Sequence, residues 1–281
     1  MKIKISVDSC ADLSKELVEK YDIGIMPLRI LLGEKDHADG IDITPKDIYE
    51  YVGKTGNLPK TAAATEESFF ELFEGYLKNY DKVIHFNISG EMSVTHTNAC
   101  HAAERLDGKV VVIDSRSLST GIGAQAIYAA KLCETETDFD KIVENIKQTV
   151  NKVQASFILD KLNYLHKGGR CSSVALLGAN LLKIKPCIEV NDGKMGMARK
   201  YMGAFAKNVE KYVLDTLEKY NNYEDDFCFV THTEIDPLVV ENVKQILKEK
   251  SSFKEIFETE AGSTITSHCG SNTIGILYIK K

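Results

Sequence analysis

Apolar positions recur along this chain with two different periods. Residues 3–7 follow the two-residue period of a strand, and residues 83–88 and 110–113 are apolar runs of strand length. Residues 23–32 form another extended apolar run. The stretches between them read as helices. Asp12 opens one that carries Leu17 and Val18. Thr44-Pro45-Lys46-Asp47 joins a capping hydroxyl, a first-turn proline and an early acid. Thr65-Glu66-Glu67 starts a helix whose apolar side is Phe69, Phe70, Leu72, Phe73 and Leu77. Further helices are expected over 93–106, 121–133 and 138–153. Strands alternating with helices imply a parallel sheet covered by helices.

The pattern changes after about position 155. A short strand at 157–159 precedes the turn-rich Lys167-Gly168-Gly169-Arg170 and a small-residue helix over 174–182. Asn191-Asp192-Gly193 signals a hairpin between two short strands, because Asp-Gly suits turn positions with positive φ. Helices over 205–217 and 238–248, a strand at 227–230, and apolar runs at 253–257 and 273–279 complete the chain. The fold class is α/β in two domains: a parallel-sheet α/β domain over 1–155 and an α+β domain over 156–281.

Composition narrows the function classes. The 281 residues carry 35 Lys plus Arg against 41 Asp plus Glu, a net charge of -6. That balance does not suit a general nucleic-acid binder, which needs a basic surface. One segment departs from it: residues 183–211 hold seven basic and three acidic side chains, net +4. Seven scattered cysteines suit a reducing compartment. No apolar run approaches membrane-span length, and the N-terminal run is too short for a signal peptide. A cytoplasmic protein without stable membrane insertion is expected.

Candidate chemistry gathers where strands end, the usual place for a site on an α/β sheet. Ser93 follows a strand and a glycine-containing loop and stands at an expected helix start. It reads either as an ordinary N-cap or as part of an anion site. Thr61, after Pro59-Lys60, has the same two readings. His268 lies in Thr264-Ile265-Thr266-Ser267-His268-Cys269-Gly270, a hydroxyl-rich segment read as a loop suited to close ligand approach. His96 and Cys100 are four residues apart, but with no further ligands they read as helix packing, and no metal is expected. No phosphate loop of the Gly-x-x-x-x-Gly-Lys-Ser/Thr kind and no Gly-x-Ser-x-Gly elbow is present.

Taken in order, Val7-Asp8-Ser9-Cys10-Ala11-Asp12-Leu13, Met26-Pro27-Leu28, Asp39-Gly40, Pro59-Lys60-Thr61 and Ser93-Val94-Thr95 resemble the DegV family of bacterial fatty-acid-binding proteins. The likeness continues through Ile113-Asp114-Ser115, Lys167-Gly168-Gly169-Arg170, Lys185-Pro186 and His268-Cys269-Gly270, over essentially the whole chain. The resemblance implies a long-chain fatty acid held between two domains, no cofactor, no catalytic residues, and a separate ATP-dependent fatty-acid kinase as partner. Carried over by position, Thr61, Ser93 and His268 hold the carboxylate. Arg199, within the basic segment, and Arg170 are expected contacts for the kinase or the acyl phosphate. The chain departs from the family pattern in three places: Ala62 replaces a serine, Val94 a glycine, and Ser271-Asn272 the usual Pro-Gly. Two other functions remain as alternatives: a hydrolase or acyltransferase using Ser93 with His268, and a lipid-responsive regulatory protein.

Overall fold

The computed structural model describes residues 1–172 and 184–281, so the helix expected over 174–182 lies outside the described residues. Four strands, β1 (Ile3–Asp8), β2 (Gly24–Met26), β6 (Lys82–Asn87) and β7 (Val110–Asp114), pair in parallel in the order β2-β1-β6-β7. β1 and β6 are buried along nearly their whole length, as strands covered on both faces must be. Five helices accompany the sheet: α1 (Lys15–Lys20), α3 (Glu66–Leu77), α4 (Thr95–Glu104), α5 (Thr120–Thr135) and α6 (Phe139–Thr149).

The extended run at 23–32 is two strands in two sheets. It breaks at Pro27-Leu28, where proline supplies no N–H for a ladder. β3 (Arg29–Leu32) leaves the parallel sheet and centres an antiparallel three-stranded sheet with β4 (Lys35–Ala38) and β5 (Lys60–Ala62). Neither β4 nor β5 has an apolar alternation to reveal it. The helix expected from Asp12 begins instead at Lys15, capped by the Ser14 hydroxyl, which accepts from the Leu17 N–H at 3.4 Å. Asp12 takes a left-handed conformation, φ 49°, and is buried. Its carboxyl is committed elsewhere, as described below.

The C-terminal half is a mixed six-stranded sheet in the order β10-β9-β8-β13-β11-β12. Its strands are β8 (Val153–Leu159), β9 (Ile184–Asn191), β10 (Lys194–Met202), β11 (Phe227–His232), β12 (Glu255–Glu260) and β13 (Thr273–Ile279). Only β11 and β12 run parallel; the other neighbours are antiparallel. Asp192 and Gly193, φ 50° and 77°, make the tight turn between β9 and β10. Helices α8 (Phe205–Lys219) and α9 (Pro237–Lys250) pack on each other beside this sheet.

Two helices join the halves. α5 packs on β1 of the parallel sheet and on β8, β11 and β13 of the mixed one. It is built for that position: Thr120-Gly121-Ile122-Gly123-Ala124-Gln125-Ala126-Ile127 is small and buried on every side. One continuous apolar core therefore runs from Ile5 and Phe86 through Ile122 to Phe157 and Leu277. The second is α10 (Ser263–Cys269), which packs on α7 (Asn163–Gly168) and also on α2 (Pro45–Thr55), β3 and β5. The segment read from sequence as a loop is thus a buried helix.

What forms α10 is remote capping. Its first N–H groups have no acceptor of their own kind within the helix. Asp39 accepts from Ser263 N at 3.0 Å and Thr264 N at 3.2 Å, and Asp12 accepts from Gly262 N at 2.8 Å. Ser9 Oγ donates to Asp39 at 2.9 Å and Ser119 Oγ to Asp12 at 2.6 Å. Burial pushes the Asp12 carboxyl well above its ordinary pKa, against the lowering pull of Ser119 and the Gly262 N–H. Each buried N–H stripped of its acceptor costs on the order of 1–3 kcal/mol. Asp39→Ala is therefore expected to lower stability by about 3 kcal/mol, and Asp39→Asn, which keeps one acceptor oxygen, by about half as much. Urea denaturation checks this; losses below about 0.5 kcal/mol in both variants would show that α10 does not depend on this cap.

Candidate functional site

β1, β6 and β7 end on the same side of the parallel sheet, and the loops leaving them converge. Cys10 after β1, Ile88 and residues 90–94 after β6, and Leu118 after β7 line one side of a cavity of about 500 Å3. Thr61, Ala62 and Ala63 at the end of β5 form a second side. Thr264, Ile265, His268 and Cys269 of α10 close the third, with Leu165 and Arg170 from α7 and its C-terminal turn, and Met195 from β10. The volume lies within the range of about 300–1,000 Å3 usual for small-molecule sites. A separate apolar space of only about 30 Å3, bounded by Phe157, Gly275 and Leu277, shares Leu118, Ile265 and Cys269 with this cavity's lining.

Polar groups concentrate at one end. Thr61 Oγ1 and His268 Nε2 lie 2.8 Å apart, a hydrogen bond between residues 207 positions apart in sequence. His268 Nδ1 and Thr264 Oγ1 are buried with no hydrogen-bond partner. Thr264 and His268, four residues apart on α10, share one helical face. Burial, reinforced by the nearby Arg170 guanidinium, lowers the His268 pKa to about 4, so the ring is neutral near pH 7. Buried groups of this kind normally find partners. Both atoms are closed off from solvent, His268 Nδ1 lying against Gly168, so the ring atom at the polar end is Nε2, bonded to Thr61.

Ser93 sits on the same wall. Its hydroxyl accepts from Thr95 N at 3.2 Å and lies 2.7 Å from Thr95 Oγ1. α4 begins at Thr95, so Val94 occupies the N-cap position and Ser93 precedes it. Val94 has φ -74° and is largely exposed, so the branched side chain fits the turn without strain. The Ser93 hydroxyl is directed to Thr95 and not to His268, and the nucleophile–base hydrogen bond of a hydrolase is not formed.

The structure thus brings Thr61, Ser93, His268 and Arg170 to one cavity, with the Arg170 guanidinium donating to Gly168 O at 2.6 Å. Arg199 stands apart. It pairs with Asp215 of α8, which also accepts from the Tyr201 hydroxyl at 2.8 Å. His96 Nε2 lies 3.5 Å from Cys100 Sγ on one face of α4, and no group of three or more metal-ligating side chains occurs among the described residues. Thr264 was not singled out from sequence. Its spacing from His268 would have identified it had residues 263–269 been read as a helix.

A larger concavity of about 910 Å3 opens between α2 and the segment before α9. Five glutamates line it, Glu50, Glu234, Glu241, Glu258 and Glu260. That electrostatic environment opposes an anionic ligand. No helix among the described residues is long and apolar enough to cross a membrane.

Comparison with known proteins follows this geometry. A DegV domain-containing protein of Clostridium acetobutylicum is 31% identical over 281 residues, covering 100% of this chain and 99% of that protein. The structure of a DegV family protein from Thermus thermophilus, described for its fatty-acid binding, superposes over 100% of both chains with a TM-score of 0.90 at 25% identity. DegV from Bacillus subtilis, described as a fatty-acid-binding protein, matches with a TM-score of 0.87 at 25% identity over 100% of both chains. The model of the DegV family, described as one of uncharacterised proteins, matches residues 2–281, and the chain belongs to that family.

Proposed function

We propose that this protein is a non-catalytic carrier that binds a long-chain fatty acid and presents its carboxylate to a separate ATP-dependent kinase. The observation that carries the reading is the cavity's polarity: apolar walls leading to the Thr61–His268 hydrogen bond, with Ser93 and Arg170 in the same lining. A fatty acid matches both ends. Burying about 14 methylenes at roughly 0.8 kcal/mol each contributes on the order of 11 kcal/mol, an upper bound for the tail. The carboxylate loses water on entry, and hydroxyl, imidazole and guanidinium donors offset that cost. Thr61, Ser93 and His268 hold the head group, and Arg170 supplies positive charge at the same end. Ala62 offers no hydroxyl, which leaves Thr61 as the donor of that segment. The tail occupies the apolar part of the cavity, beside Ile88, Met92, Leu118, Leu165 and Ile265. Fatty-acid binding by the Thermus and Bacillus relatives supports the reading. Cys10, Cys100, Cys133, Cys187, Cys228 and Cys269 form no disulfide among the described residues, which fits work in the reducing cytoplasm.

Organic extraction of the purified protein followed by mass spectrometry is expected to recover a long-chain acid near stoichiometric amount. Thr61→Val and Ser93→Ala should weaken binding of the acid about tenfold or more and that of the matching fatty alcohol much less, because an alcohol costs less to desolvate. Equal losses for acid and alcohol, or no acid bound by the wild type, would overturn the assignment.

His268 gives a pH signature. Its folded-state pKa lies below the ordinary 6.5, so its contribution to stability is present above that value and is lost as pH falls toward 4. A carboxylate beside the ring favours the imidazolium. NMR titration should therefore find the His268 midpoint near 4 in lipid-free protein and clearly higher with bound acid, but not with bound alcohol. A midpoint unmoved by the acid would remove His268 from the head-group site.

The kinase assignment is tested separately. Purified protein with fatty acid, magnesium and ATP should form no acyl phosphate until a partner kinase is added. Arg199 is half-exposed on β10, within the basic segment, and suits an acidic docking surface. Arg199→Ala should reduce kinase-dependent turnover severalfold while leaving fatty-acid affinity unchanged. Acyl phosphate made by the chain alone, or equal loss of turnover and affinity, would contradict this assignment.

A further inference from the structure

Asp8 ends β1 behind two segments of the cavity wall. Its carboxyl, wholly buried, accepts from Ile88 N at 2.7 Å through Oδ2 and from Cys10 N at 3.1 Å through Oδ1. Ile88 and Cys10 both line the cavity. Asn87 Nδ2 donates to Oδ2 as well, at 3.3 Å. One carboxylate thus ties the loop leaving β1 to the loop leaving β6, and in each of these bonds it is the acceptor, as an ionised carboxylate must be.

The surroundings make that charge costly. Asp39 and Asp12 repel it, and the Cys10 thiol stands beside it. His85 reaches it through Asn87, whose Nδ2 is 3.0 Å from His85 Nε2, and burial holds that ring neutral. On β2 its neighbour is Met26, and α5, packed on β1, carries no charged side chain over residues 120–127. Burial, reinforced by Asp39, raises the Asp8 pKa to about 6 against the lowering pull of its three donors. An acceptor for a proton on Asp8 stands next to it: Asn87 Oδ1 is buried with no hydrogen-bond partner. Using it turns the Asn87 amide and takes Nδ2 away from Asp8 and His85. A proton on Oδ2 also competes with the Ile88 N–H.

We propose that Asp8 is a positioning residue that holds both strand-end segments in the cavity wall, and that its uptake of a proton from solvent loosens the wall and releases the lipid. The inference rests on the carrier reading above for the identity of the ligand.

The test is the affinity for hexadecanol, whose head group does not titrate, between about pH 7 and about pH 5, where His268 stays largely neutral. With Asp8 at a pKa of about 6, roughly a tenth of the protein keeps it ionised at the lower pH, so Kd should rise about tenfold. Asp8→Asn, which cannot ionise, should bind at both pH values about as weakly as wild type does at the lower one. In lipid-free wild type, the amide resonances of Ile88 and Cys10 should titrate together with a midpoint near 6, a readout that does not depend on the variant folding. Constant wild-type affinity, or a tenfold fall that Asp8→Asn retains, would overturn the link between the proton and the lipid. Amides of Ile88 and Cys10 that do not titrate would overturn the hold of Asp8 on the wall. A wild type that binds neither hexadecanol nor any fatty acid would overturn the carrier reading, and the two amides would still decide whether Asp8 holds the wall.

Discussion

The site depends on two buried acids that cap a helix from far away in sequence. Asp12 and Asp39 take the backbone N–H groups of residues 262–264, and without acceptors there α10 would bury orphaned donors. α10 in turn carries Thr264, Ile265, His268 and Cys269 into the cavity. The cap is also the polar joint between the halves of the molecule, since both acids come from the first forty residues. Their partners Ser9 and Ser119 lie on loops leaving β1 and β7, so the parallel sheet itself sets where His268 stands.

From that constraint the geometry of the cavity follows. β5 presents Thr61 to α10, and the bond between Thr61 and His268 closes the polar end. The first half of α5, residues 120–127, is buried on every side and lets the two sheets approach closely, with Phe157 and Leu277 beneath it. A second buried polar chain stiffens the sheet beneath. Ser6 Oγ lies 2.8 Å from His85 Nδ1, and Asn87 bridges His85 to Asp8. Burial holds His85 at a pKa of about 3 and raises Asp8 to about 6, with the Asp8 carboxyl receiving Ile88 N at 2.7 Å where the cavity wall begins. The polar interior is thus organised around the strand ends, while the apolar part of the cavity lies between apolar layers.

Much of this was legible in the chain. The runs at 3–7, 83–88 and 110–113 are β1, β6 and β7, and the Asp192-Gly193 turn lies where two positive-φ residues were expected. Thr44 with Pro45 and Asp47, and Thr65 before Glu66, start α2 and α3 as their capping chemistry requires. The failures share a physical cause. β4 and β5 are short and polar, so their pairing with β3 leaves no periodic signature. Residues 263–269 are hydroxyl-rich and look like a loop, because what makes them helical is supplied by Asp12 and Asp39. Asp12 was read as a local helix start for the converse reason: its carboxyl serves a segment 250 residues away. Local composition registers local caps and misses remote ones. Thr61, Ser93, His268 and Arg170 could be named from their order in the chain, but their meeting at one cavity is a property of the fold.

A crystal structure of the protein grown with a long-chain fatty acid tests the central claim most directly. The account predicts the carboxylate within hydrogen-bonding distance of Thr61 Oγ1 and His268, and the tail running between Leu118 and Ile265. A fatty acid reversed in that cavity, with its carboxylate away from Thr61 and His268, or seated instead in the glutamate-lined cleft beside Tyr49, would contradict it.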